Sequence, residues 1–152
     1  MKKGFTLVEL LIVLAVIAAL MAVATPVALN AVATAKANQV AQNLANLKSA
    51  VETAYAVKGL PATGQAASKT YLEGYISTFP NGYEVVIDTG SENPAAATIV
   101  YLLSDPTADA VQKQNPEVQK KTGSAIKDEL PTGVTVADAS EYAVIEVQLM
   151  SY

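Results

Sequence analysis

The chain has no cysteine, no histidine and no tryptophan. Without cysteine there is no disulfide staple and no zinc–thiolate centre. Without histidine the usual general base and metal ligand are missing, which removes most hydrolase mechanisms. Arginine is absent too. All 10 basic residues are lysine, against 14 acids, for a formal charge of −4. That balance argues against a nucleic-acid binder drawn to phosphates by net charge. Charged residues fill only 16% of the 152 positions and apolar residues 51%. Disordered chains are poor in apolar residues, so wholesale disorder is excluded. The length suits one modest domain. The apolar excess is local, so a membrane segment has to be weighed before any fold.

That excess lies near the start. Phe5 to Leu29 is a run of 25 residues in which Glu9 is the one ionisable side chain. As a helix it measures about 37 Å, enough to cross a bilayer core with some tilt. Lys2 and Lys3 precede it and keep that end cytoplasmic, which places the rest of the chain outside. A secretory signal peptide is one reading, with Ala22-Val23-Ala24 as a small-residue cleavage site. The apolar run before that site is long for such a peptide and contains a carboxylate. A plain anchor is a second reading, with Glu9 snorkelling to the headgroups. A carboxylate inside an apolar span is costly in lipid and marks a functional site.

A third reading accounts for both features. Lys2-Lys3-Gly4-Phe5-Thr6-Leu7-Val8-Glu9-Leu10 resembles the processing and assembly motif of type IV pilins and pseudopilins, most of all a major type IV pilin. The resemblance covers about the first third of the chain. It implies that residues 1–4 are a leader, that a prepilin peptidase cuts after Gly4, and that Phe5 is then N-methylated. It also implies that Glu9 of one subunit pairs with the Phe5 amine of a neighbour and so sets the axial register. The physics is consistent, because a carboxylate among apolar helices needs an opposite charge.

Pro26 interrupts an otherwise helical pattern, which predicts a kink or local melting near Met21 to Pro26 in a single helix. The other reading starts a second helix at Thr25-Pro26. Beyond it the pattern turns amphipathic. Val40, Leu44, Leu47, Val51 and Tyr55 share one face, with Gln39, Gln42, Asn43, Asn46 and Glu52 away from it. Lys58-Gly59-Leu60-Pro61 reads as a helix end. A helix from Phe5 to Lys58 would be near 80 Å if continuous. Its first half must meet lipid or other subunits.

The remainder predicts a small sheet. Residues 60–82 read as a connecting loop, with a short helical turn at Tyr71 to Ile76. Tyr83 to Asp88 and Ala97 to Leu103 read as an antiparallel pair across a turn at Thr89 to Pro94. Short helices are expected at Ala108 to Gln114 and Glu117 to Thr122. A brief strand is expected at Val134 to Ala137 and a last strand at Glu141 to Leu149. Pilins commonly staple this region with a disulfide or with calcium. Zero cysteine removes the first option. Asp105, Asp109, Asp128, Glu129, Asp138 and Glu141 match no calcium loop in their spacing and read as solvated acids. Ser68-Lys69, and Ser124 with Lys127, lack the setting a Ser–Lys hydrolase needs.

The expected fold is α+β. A long N-terminal helix packs by its amphipathic second half on an antiparallel sheet of three or four strands. The expected divisions are a leader at 1–4, a membrane and filament-core half at 5–29, an amphipathic half at 30–59 and a globular region at 60–152. The expected function is that of a non-enzymatic structural subunit of a type IV pilus. It would be held in the cell membrane as a single-pass precursor and be extracellular once assembled. Its partners would be further copies of itself, the prepilin peptidase and a membrane assembly machine. No cofactor, metal site or direct nucleic-acid contact is expected. Two alternatives stand beside it: a pseudopilin of a secretion or competence system, and a bitopic membrane protein whose outer region binds a ligand. Whether such a filament serves motility, adhesion, DNA uptake or secretion depends on motors and tip proteins outside the chain.

Overall fold

In the computed structural model, residues 4–59, 70–87, 95–127, 130 and 134–149 are described. Lys2, Lys3, Ser68-Lys69, the expected turn at 89–94, Asp128 and Glu129 lie outside them. The chain divides into two compact units, Met1–Ala35 and Lys36–Tyr152.

One helix, α1, runs from Leu7 to Lys58. It begins two residues later than expected because Thr6 caps it, its carbonyl accepting the Leu10 N–H at 3.2 Å. Every residue from Met21 to Pro26 is helical, so the local melting expected near the proline does not occur, nor does a second helix start there. The helix ends as its sequence predicts. Gly59 takes a left-handed φ of 72°, and its N–H returns to the Tyr55 carbonyl at 2.8 Å.

In the first unit every described residue is exposed. Phe5 is 90% exposed and Leu7 74%, and the segment is long and apolar enough to cross a membrane. Two hydroxyls on this stretch turn inward to the backbone. Thr25 donates to the Met21 carbonyl at 2.8 Å and Thr34 to the Asn30 carbonyl at 2.9 Å. These bonds leave the side chains no unmet donor in a medium without water.

The second unit has its own core. Ala37, Val40, Ala41, Leu44, Leu47, Ala50, Val51 and Ala54 form the buried stripe of α1. Four antiparallel strands follow: β1 (Tyr83–Ile87), β2 (Ala95–Tyr101), β3 (Gln119–Thr122) and β4 (Glu141–Leu149), in spatial order β1-β2-β4-β3. The α1 stripe packs with one face of this sheet: Tyr83, Val85 and Ile87, then Ala97, Ile99 and Tyr101, then Ala143, Ile145, Val147 and Leu149. That alternation is the period-two signature of a half-buried strand. Helix α2 (Ala108–Gln114) adds Ala108 and Val111 to the same core. Thr107 caps α2 through its side chain.

Three local expectations are corrected. Residues 117–122 do not form a helix, since Gln119–Thr122 is strand β3, paired with β4 from Gln119↔Val144 to Thr122↔Glu141. Its polar Gln-Lys-Lys-Thr sequence suits an edge, where lysine discourages further pairing. Val134 to Ala137 is not a strand. The Ala137 N–H is bonded to the Tyr142 hydroxyl at 3.0 Å instead of to a ladder. Tyr71 to Ile76, expected as one short helical turn, forms two successive tight turns. They are closed by Glu73 N–H to Thr70 O and Tyr75 N–H to Leu72 O, and Gly74 has φ 91°.

A second, smaller core covers part of the sheet's other face. Val100, Tyr142, Val144 and Ile126 are buried there, with Leu102, Leu130 and Val136 packed against them. Ile126 belongs to a short helix, α3 (Gly123–Ile126), for which the sequence raises no expectation.

Candidate functional site

The chemistry concentrates where α1 begins. Gly4, Phe5 and Thr6 are non-helical and exposed, so the Gly4–Phe5 bond lies in irregular backbone just ahead of the helix. A side chain at Gly4 would meet nothing within 4 Å.

Glu9, the one ionisable side chain of the apolar run, is hydrogen-bonded within its own helix start. The Thr6 backbone N–H and the Thr6 hydroxyl both donate to Glu9 Oε2, each at 2.8 Å. The Glu9 N–H in turn donates to Thr6 Oγ1 at 3.2 Å. This is a reciprocal capping box, with Thr at the N-cap and Glu three residues on. Sequence reasoning gives Thr6 no role of its own. The signal was in the sequence, since Thr6-Leu7-Val8-Glu9 ahead of an apolar run is the capping-box pattern.

Pro26 lies inside α1, with no N–H to give the Ala22 carbonyl.

The remaining candidate residues are engaged elsewhere. Asp105 pairs with Lys36 at 2.5 Å, Asp109 with Lys120 at 2.6 Å and Asp138 with Lys127 at 3.4 Å. Three acids bound to three different lysines do not converge on a cation. Among the described residues no group of three or more acids could hold a metal ion. Ser124 Oγ lies 3.1 Å from Thr122 Oγ1, not against a lysine. An open groove of about 510 Å³ separates Asn43, Asn46, Ser49 and Thr53 of α1 from the turn at Tyr75 to Pro80. Among the described residues its lining carries no ionisable group except the Tyr75 phenol. Lys58 Nζ sits 4.8 Å from the centroid of that Tyr75 ring and donates to the Tyr71 carbonyl at 3.0 Å.

Comparison with known proteins bears on the same end of the chain. Residues 1–25 match the family described as the prokaryotic N-terminal methylation motif. Over 60 residues the chain is 45% identical to the fimbrial protein EcpB of Eikenella corrodens. That stretch covers 40% of this chain and 38% of the relative's length. No solved structure matches.

Proposed function

We propose that this chain, a type IV pilin-family protein by its N-terminal motif and its fimbrial relative, is a structural subunit of an extracellular type IV pilus. It is made as a single-pass precursor in the cell membrane. A prepilin peptidase removes residues 1–4 after Gly4, and Phe5 becomes the N-methylated terminus. A membrane assembly machine then draws the processed chain into a helical polymer of identical subunits. The mechanism is assembly rather than catalysis.

The observation that carries this reading is an apolar helix segment, exposed along its whole length, with one carboxylate next to a non-helical Gly-Phe junction. Exposed apolar surface on this scale needs lipid or protein against it. Lipid serves before assembly and the helices of neighbouring copies serve afterwards. Because lipid tails are as apolar as leucine, the exchange is driven by close packing and by polar pairing. Glu9 supplies the polar part by taking the Phe5 amine of a neighbouring copy. The fimbrial relative favours a surface pilus over a secretion pseudopilin.

The test is Glu9→Ala or Glu9→Leu. Both variants should be cleaved like the wild type yet be excluded from filaments. Normal filaments built from either would remove the assigned role of Glu9.

A further inference from the structure

A polar stripe of α1 lines the groove beside Tyr75 to Pro80 and has no part in the assembly reading. Asn43, Asn46, Ser49 and Thr53 each stand one residue ahead of buried Leu44, Leu47, Ala50 and Ala54, so they form a second stripe along the edge of the first. A smaller hollow of about 340 Å³ adjoins the groove. It shares Asn43 and Pro80 with it and continues along α1 to Gln39 and Lys36. From Lys36 to Thr53 the trough follows about 25 Å of helix. The facing wall offers Tyr75, Ser77 and Thr78, then Asn81.

This lining is polar without carrying a net charge. Lys36 and Asp105, at one end, are paired with each other at 2.5 Å. Asn43 donates to the Tyr83 hydroxyl at 3.2 Å. Among the described residues, the side chains of Asn46, Ser49, Ser77 and Thr78 are committed to no hydrogen bond. Their donors and acceptors remain for a ligand. Tyr75 adds a half-buried ring, with Lys58 Nζ 4.8 Å from its centroid.

We infer that this trough binds a neutral oligosaccharide. A sugar chain presents hydroxyls that donate and accept at once, as the amides and alcohols of the lining do. Its C–H faces suit an aromatic ring with one apolar side. An anionic chain would meet a net charge of −4 and a Lys36 already paired. A peptide would need apolar pockets for its anchors, and beside Tyr75 the apolar lining of the larger hollow is Ala50, Ile76 and Pro80. The site lies within the second unit, so it stands or falls apart from the proposed pilus.

The test uses the full-length chain in micelles of a detergent without a sugar headgroup. Maltotetraose, cellotetraose, chitotetraose in its N-acetylated form and lacto-N-neotetraose are the neutral probes, and tetragalacturonate is the charged one. Amide shifts in NMR titrations read the binding. At least one neutral probe should shift Asn46, Ser49, Ser77 and Thr78 with a millimolar Kd, and tetragalacturonate should not. Asn46→Ala and Ser49→Ala favour the helix and should each weaken that binding roughly threefold to tenfold, the scale of one lost hydrogen bond. Gln42→Ala, outside the trough, should bind like the wild type. Absence of shifts from every neutral probe up to about 10 mM would overturn the inference. So would equal binding of tetragalacturonate, or wild-type affinity in both alanine variants of the trough. Shifts at the same four residues on concentrating the chain without sugar would assign the trough to a second copy, and would equally overturn it.

Discussion

Gly123 shows how one atom can decide a local structure. A Cβ at this position would lie 2.1 Å from the Ala137 carbonyl oxygen, a backbone atom with no rotamer to move. The Gly123 N–H is bonded to the Ser140 carbonyl at 2.9 Å, which ties α3 to the approach to β4. Gly123→Ala should therefore cost about 2–4 kcal/mol, read as a lower urea midpoint. The ionisable side chains make a second prediction. Burial raises Tyr71, Tyr83 and Tyr101 above the ordinary 10.0. The folded chain then holds those protons longer than the unfolded one. Their contribution is full below pH 10.0 and is lost as pH rises toward the folded values. A spectrophotometric titration should show Tyr71, Tyr83 and Tyr101 ionising later in the folded chain than in denaturant. At the acid end, the hydrogen bond and charge of Lys120 hold Asp109 below its ordinary 3.8. A lowered folded value contributes stability above pH 3.8 that is lost as pH falls through it. Asp109→Asn should remove that part of the acid response.

Among the elements, α1 carries two different jobs on one pattern of residues. Its buried stripe in the second unit is the part that stabilises a core. Leu44→Ala or Leu47→Ala, at side chains with no exposure, should each cost about 2–5 kcal/mol. Gln42→Ala, on the exposed side, should stay within roughly 0.5 kcal/mol. Chemical denaturation of the three variants checks the contrast. The same stripe explains what could be read in advance. Val40, Leu44, Leu47 and Val51 repeat at helical spacing, and Tyr83 to Ile87 and Glu141 to Leu149 alternate as strands do. A strong period points to one structure. Strand β3 has no such period, because it is an edge made of Gln119, Lys120, Lys121 and Thr122. Its place is set by β4, by Lys120 on Asp109 and by Lys121 on Glu146, all partners distant in sequence. Val134 to Ala137 misled in the opposite way. Its composition suits a strand, but a tyrosine hydroxyl takes the Ala137 N–H. At the candidate site the motif was legible from Lys2 to Leu10. The Thr6–Glu9 box was legible as well, in the three-residue spacing of Thr6 and Glu9 ahead of an apolar run.

At the scale of the whole molecule the two units differ in what they leave open. The second unit closes its apolar residues into a core drawn from Ala37 to Leu149, with no polar residue buried among those described. It should fold without the first unit. A chain starting at Lys36 should be soluble, monomeric and well dispersed by NMR, and loss of dispersion would mean that the core needs the preceding helix. The first unit has no such closure among its described residues, and its helix is long and apolar enough to cross a membrane. Under the proposed function the chain is first processed at Gly4 and then assembled through that unit's apolar surface. The most direct test is the intact mass of the chain in filaments sheared from the cell surface. The account predicts loss of Met1 to Gly4 and a gain of about 14 Da for one methyl group. An uncleaved chain that stays in the membrane fraction and never enters sheared material would contradict it.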